Sequence, residues 1–421
     1  MTKATVGVLS ICCLSSVIAI SKPYFFDAFK DVQGLREVSP RTIFPQPTLK
    51  KRNLVDAQVQ FGFKLFSTLT ESQEEENILI SPTSIALTLS MLYNGATGTT
   101  QREIAEGLNL RNVSGNTLNR ANRTLYDDLN NHEVSSNLIF NNFLWAREGF
   151  SFRYHFHKNS RSYYRAKITN LDFSSSEARG IMNRSVREEI QATMNPVMGL
   201  TQADDVLFLT NTASFQGLWQ MGFDRNLTKD KPFYLADKSI KNYPFMSRKG
   251  IYNYLETPQL KAVELPYGDG RFSLYLFLAK QENSLSNIVE EITAKKLTKL
   301  IYKFRRSHGL VELPRFRLNS EVDLTNSLKN LGFSTMFDSS KAEFSDLSSD
   351  ATYINGIKHQ AIITVNESGI TNPSQDSSLI KTTSAKNQKE EFSLAINRPF
   401  LSIIRDNQTG NILFIGMIFE P

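Results

Sequence analysis

The sequence predicts an α+β fold with large mixed or antiparallel sheets, and three observations carry that expectation. Strand-like runs dominate the middle of the chain: "NLIFNNFLWA", "DVLFLTNTASFQGLW", "KAVELPYGDGRFSLYLFLA" and "GLVELPRFRL". Two stretches within them, "VLFL" and "SLYLFLA", are apolar without alternation, the pattern of strands covered on both faces. The helical segments "SSEARGIMNRSVREEIQATM" and "SLSNIVEEITAKKLTKLIYKF" lie outside a strict alternation of strand and helix, which argues against a parallel repeat of βα units.

The 421 residues allow one large domain or two to three ordinary ones, and 40% hydrophobic content is enough for a substantial core. The net charge of +6 is modest, with much of the excess near Lys50, Lys51 and Arg52. That balance reads as a solvated surface and not as the concentrated stripe that nucleic acid requires.

The N-terminus, "MTKATVGVLSICCLSSVIAISKP", has the parts of a secretory signal: Lys3, an apolar run from Val6 to Ile20, and the small-x-small triplet Ala19-Ile20-Ser21. We read residues 1–21 as a signal peptide, and the mature protein as secreted, or periplasmic if the source is bacterial, with no membrane attachment after cleavage. The run is short for a membrane span. Both cysteines, Cys12 and Cys13, fall inside it, so packing and not disulfides must hold the mature chain. Residues 22–52, with Pro40, Pro45 and Pro47 and no sustained period, read as a flexible extension, and the folded domain as residues 53–421.

Val55, Val59, Phe63, Phe66 and Leu69 follow at helical spacing, despite the helix penalty of Gly62. Asn77 to Ile80 predicts a short strand. Ser81 is an N-cap candidate, Pro82 occupies the favoured first helical position, and Ile85, Leu89 and Leu92 form the apolar stripe of a second helix that Asn94-Gly95 and Gly98 end. Thr100-Gln101-Arg102-Glu103 predicts a capping box opening a third helix. Glu74-Glu75-Glu76 reads as a solvated loop. Asn-x-Ser/Thr sequons stand at Asn112, Asn122, Asn183, Asn226, Asn366 and Asn407 and matter only in a eukaryotic secretory pathway.

Enzymatic readings find little support. The chain lacks a Gly-x-Ser-x-Gly elbow, a His-Glu-x-x-His motif, a Walker loop and a Gly-x-Gly-x-x-Gly fingerprint. His155 and His157 would share a face on a strand but have no third ligand, so no metal is expected. Asp204-Asp205 reads as a loop. The segment from Phe152 to Lys167 interleaves basic and aromatic residues, which suits heparin or nucleic acid, but it reads better as a helix with a solvated basic side.

Five blocks together carry a specific resemblance: "NILISPTSIALTLSMLYNGATGTTQREI", "LFLTNTASFQGLWQMGF", "KAVELPY", "VELPRFRL" and "NRPFLSIIRDNQTGNILFIGMIFEP". In that order, over about residues 53 to 421, they resemble the serpins. The resemblance implies a single domain with three β-sheets and about nine helices, an exposed reactive loop, no enzymatic activity, no cofactor, a monomer, and a serine or possibly cysteine protease as partner. It further implies that Ser81, Ser84, Asn211 and His359 form the polar cluster beneath the point where the central sheet opens, and that Trp219 marks the top of that sheet, where the loop first enters.

Glu367-Ser368-Gly369 resembles the start of the loop's hinge. In an inhibitory serpin the loop is cut as bait and then inserts as a new central strand, dragging the acylated protease with it. Such hinges continue with Thr or Ser and a run of alanines, whereas here Gly369 is followed by Ile370, Thr371, Asn372, Pro373, Ser374, Gln375 and Asp376. Family parity would turn Ile370, Asn372, Ser374, Asp376, Ser378 and Ile380 inward, and the opposite parity would bury Gln375 and Lys381. Pro373 removes a ladder donor from a central strand. Spacing from the hinge places the scissile bond at Thr383-Ser384, while counting back from Pro399 points to Ala385 to Gln388. Lys381, Lys386 and Lys389 are alternative cleavage points. The sequence therefore supports a protease inhibitor whose trapping is impaired, with a non-inhibitory binding or carrier serpin, or a simple substrate, as the alternative.

Overall fold

The computed structural model describes residues 49–71, 75–110, 113–130, 136–190, 204–280, 284–369 and 391–421. All the structure described lies in the compact unit Phe44–Pro421. The expected signal peptide and nearly all of the expected extension lie outside the described residues.

The chain opens with helix α1 (Leu49–Glu71), strand β1 (Ile78–Ile80) and helices α2 (Pro82–Tyr93), α3 (Gly98–Gly107) and α4 (Gly115–Asn130). It continues through β2 (Ser136–Arg147), α5 (Tyr154–Tyr164), β3 (Lys167–Leu171), α6 (Ala178–Ile190) and β4 (Leu207–Gly217). Next come β5 (Lys229–Tyr234), β6 (Ile240–Glu256), β7 (Leu260–Pro266), β8 (Phe272–Ala279), α7 (Leu285–Glu291) and α8 (Ala294–Ile301). The last part holds β9 (Arg305–Pro314), β10 (Phe316–Asp323), α9 (Thr325–Asn330), β11 (Gly356–Val365), β12 (Phe392–Ala395), β13 (Phe400–Asp406) and β14 (Ile412–Ile418).

The strands form a five-stranded sheet in the order β10-β11-β4-β2-β3 and a nine-stranded ladder running β1-β14-β13-β8-β7-β6-β9-β12, with β5 attached to β6. The third sheet expected is continuous with the second, because the 17-residue β6 pairs with β5 and β9 along one part and with β7 at its C-terminal end. The apolar runs lie where their patterns place them. All eight residues of β8 are buried, and β4 is almost wholly so. Two layers explain β4. Met182 and Val186 of α6 cover Phe143, Trp145 and Ile362 on one face of the five-stranded sheet, while Leu209, Ala213 and Phe215 face the main core.

Gly62 has a structural use that its helix penalty conceals, for a Cβ there would stand 2.4 Å from Pro82 Cβ. The glycine lets α1 cross tightly against the start of α2. The capping box is not formed. Helix α3 begins at Gly98 after an N-cap Thr97 that makes no side-chain cap bond, and the Glu343 carboxylate accepts from Thr99 N instead. Thr100 is buried and accepts from Glu343 N at 3.0 Å, while Glu103 accepts from Thr335 N at 2.8 Å. Distant partners take the groups that local capping would have used. Gly98, expected to end α2, opens α3 with φ of 52°.

Candidate functional site

Every sequence-predicted residue of the polar cluster comes together at the seam between β4 and β11. Ser81 caps α2, as its position before Pro82 suggests, accepting from Ser84 N at 3.4 Å. His359 of β11 stands directly opposite Asn211 of β4 in a parallel register. Its Nε2 accepts from Ser81 N at 2.9 Å, which leaves Nδ1 to carry the proton and donate to Asn211 Oδ1 at 2.7 Å. Asn211 Nδ2 donates onward to Ser84 Oγ at 2.8 Å and Asn142 Oδ1 at 3.0 Å. Burial pushes the pKa of the His359 imidazole down to about 3. The ring is therefore neutral at physiological pH, and the two ring nitrogens lock a helix start to two sheet strands.

Sequence reasoning missed how far this network extends. Thr88 donates to Asn142 Oδ1, and Asn142 Nδ2 donates to Tyr164 O at 3.1 Å. The Tyr164 hydroxyl donates to Asn119 at 2.6 Å and accepts from Asn122, whose Oδ1 accepts from Gln58. A signal exists in "IFNNFLWA", where an asparagine pair interrupts an apolar strand. Asn122 belongs to a sequon, but it is fully buried and spent in this network. His155 and His157 lie on the helix α5, two positions apart, so the shared face that a strand would have given them does not exist. Among the described residues no group of His, Cys, Asp and Glu could hold a metal ion.

The segment expected to form the hinge follows the end of β11 at Val365. Asn366 Oδ1 accepts from Ser368 N at 3.1 Å and Gly369 N at 2.8 Å, folding the chain back on itself. The carbonyls of Glu367, Ser368 and Gly369 then accept from Phe223 N, Trp219 N and Gly217 N at 2.9, 3.1 and 3.3 Å. Gly369 has φ of +85°, and a Cβ on it would meet Gly217 O at 2.3 Å, so only glycine fits. Trp219 stacks on Tyr267 at 4.2 Å and donates from Nε1 to Asn366 O at 2.7 Å. The Glu367 side chain, buried, meets the Arg315 guanidinium and accepts from Thr228 Oγ1 at 2.7 Å. Burial alone would raise its pKa, but hydrogen bonds from Arg315 and Thr228 outweigh it and hold the carboxyl below the usual range.

The described chain thus leaves β11, turns at Asn366 and docks at the end of β4, at the top of a parallel pair. It resumes at Glu391, whose amide donates to His308 O at 2.8 Å, and β12 then pairs with β9. Ile370, Asn372, Pro373, Asp376, Thr383 and Ser384 lie outside the described residues.

A family model described as Serpin (serine protease inhibitor) matches residues 56–421. The chain belongs to the serpin family. It is 31% identical over 377 residues to plasminogen activator inhibitor 1 of Sus scrofa, covering 86% of this chain and 91% of that one. It is 28% identical over 399 residues to an uncharacterized serpin-like protein of Methanosarcina acetivorans, covering 91% and 92% respectively. Leukocyte elastase inhibitor A of Rattus norvegicus is 29% identical over 381 residues, covering 87% of this chain and 99% of that one. The native structure of protease nexin-1 with heparin superposes with a TM-score of 0.80 at 24% identity over 88% of this chain and 99% of that one, a likeness of fold. The fold read from the sequence is therefore the fold of this serpin. Among the described residues no helix is long and apolar enough to cross a membrane.

Proposed function

We propose that this serpin is a secreted serine-type endopeptidase inhibitor that presents residues 370 to 390 as bait, and that it partitions toward clipping because its hinge resists insertion. The observation that carries the reading is the β4–β11 seam. The two strands pair in parallel, and the segment after β11 turns back at Gly369 over the end of β4. A strand continuing from that turn between them would run antiparallel to both neighbours. One parallel ladder, the slightly weaker kind, would be exchanged for two antiparallel ones, which supplies a driving force for insertion. The names of plasminogen activator inhibitor 1 and leukocyte elastase inhibitor, relatives along nearly their whole length, support the same activity.

The sequence after Gly369 opposes completion. An unpaired buried amide at Asn372 would cost about 1–3 kcal/mol, and Asp376 would cost more or take up a proton. Pro373 removes one ladder bond. Trapping races insertion against deacylation, and each ~1.4 kcal/mol on the insertion barrier slows it about tenfold. The second reading, a binding protein or simple substrate whose loop never inserts, draws on these same residues.

Incubation with trypsin-like and elastase-like proteases followed by a denaturing gel tests the proposal. A minor SDS-stable adduct beside a major clipped product supports it. Clipping with no adduct from any protease that cuts within residues 370–390 supports the second reading. The clipped form is expected to melt close to the intact one, and a rise of tens of degrees would show that the hinge does not resist insertion.

A further inference from the structure

The β4–β11 seam has two faces, and they are not alike. On the core face His359, Asn211, Ser84 and Asn142 are joined by hydrogen bonds. Side chains alternate along a strand, so Gln360 and Thr212, which stand opposite each other across the same seam, point to the other face. That face is covered by Met182 and Val186 of α6, where Ile362, two residues beyond Gln360, packs with Phe143 and Trp145. Gln360 and Thr212 are both fully buried.

A polar row crosses the sheet there. Asn141 Nδ2 of β2 donates to Thr212 Oγ1 at 3.3 Å, and Gln360 Nε2 donates to Asn319 Oδ1 of β10 at 2.7 Å. The row is broken at the seam itself. Gln360 Oε1 is buried and has no donor among the described residues, and it is the one such side-chain atom on either seam strand. The indole donor on this face, Trp145 Nε1, is spent on Thr210 Oγ1 at 3.1 Å.

We propose that Gln360 is a positioning residue for strand insertion: its unpaired side-chain carbonyl makes the closed seam costly and gains a donor when β4 and β11 part. The inference rests on the inhibitor reading for its use and on the seam alone for its physics. An unsatisfied buried amide oxygen shifts an equilibrium about five- to a hundredfold. Parting the strands opens Oε1 to solvent, and a strand added between them brings new donors beside it. The seam is thus latched on its core face by a complete network and loaded on its α6 face by an incomplete one. An amide that served only to hold the seam would have both ends paired, as Asn211 has on the core face.

The test uses the full chain as wild type, Gln360→Met and Thr212→Val. Methionine keeps the length and removes the amide, beside neighbours that are apolar. Gln360→Met is expected to unfold in denaturant at least about fivefold more slowly than the wild type, and to give a ratio of SDS-stable adduct to clipped product at least about fivefold lower. Thr212→Val removes a hydroxyl that is paired, so it is expected to unfold faster. A glutamine with a merely structural role would shift in the same direction as Thr212→Val, and that result would overturn the proposal. So would a crystal structure of the intact protein with a donor group or an ordered water about 3 Å from Oε1. Absence of adduct from all of these proteins would remove the inhibitor reading alone, because the unfolding rates decide the role of Gln360 without it.

Discussion

His359 Nδ1 lies 2.7 Å from Asn211 Oδ1, and the two residues face each other across the parallel seam of β4 and β11. This bond joins the two strands at the point where an inserting strand would have to part them. It also fixes the tautomer that lets Nε2 hold the amide of Ser81, so the start of α2 is tied to the same seam.

Replacing Asn211 with alanine leaves the His359 N–H without a buried partner and takes one hydrogen bond each from Ser84 Oγ and Asn142 Oδ1, which keep Thr212 O and Thr88 as partners. The orphaned donor costs about 1–3 kcal/mol and each lost bond about 0.5–1.5 kcal/mol, so we expect a loss of roughly 2–5 kcal/mol in denaturant unfolding. A loss below ~1 kcal/mol would mean that the cluster is replaceable by packing alone.

The low pKa of His359 sets a pH dependence. The ring is neutral in the folded state down to about pH 3 but takes up a proton near 6.5 once unfolded. Between those values the unfolded state binds more protons, so stability is full above pH 6.5 and falls as the pH drops, by about 1.4 kcal/mol per unit for this one group. A His359→Gln variant is expected to be less stable at pH 7.5 but to lose about 2 kcal/mol less than the wild type between pH 6.5 and 5. Parallel stability curves would remove His359 from the account.

Arg315 and Thr228 hold the buried carboxylate of Glu367 in the turn that follows β11. Arg315→Met strips the charge partner while keeping the stem. Arg315 is half exposed, so screening limits the expected loss to about 1–3 kcal/mol at neutral pH. Because the Glu367 pKa is depressed, its contribution is present above the unfolded value of 4.5 and fades as the pH falls below it. The gap between wild type and variant should therefore close at low pH, and a constant gap would point to packing as its cause.

Gly369→Ala places a Cβ against Gly217 O and demands an unfavourable φ. We expect the turn at residues 366–369 to undock, freeing Asn366 O from Trp219 Nε1. The chain has two tryptophans, so a Trp145→Phe background isolates Trp219. Its emission should shift red in the alanine variant, and an unshifted spectrum would show that docking does not depend on this glycine.

Much of this fold is legible in the amino-acid pattern. The unbroken apolar runs of β4 and β8 mark strands buried on both faces, and Ser81-Pro82 marks the start of α2. Other parts are not legible, for identifiable reasons. The long β6 carries exposed residues along much of its length, among them Ile240 and Ile251, and gives no clean alternation. The Thr100 capping box is a sound local pattern that Glu343 and Thr335, more than 230 residues away, override. Asn142, Tyr164 and Gln58 cannot be joined from sequence, because a hydrogen-bond network has no periodicity to read. Gly62 reads as a weakness in a helix, and only the approach of Pro82 shows what it permits.

Under the proposed function the residues after Gly369, and not the seam they would enter, decide between trapping and clipping. The most direct measurement is the ratio of SDS-stable adduct to clipped product for the wild type and for Pro373→Ala/Asp376→Ala with the same protease. Relief of about 1.4 kcal/mol or more on the insertion barrier should raise that ratio at least tenfold. An identical ratio in the two proteins would contradict the claim.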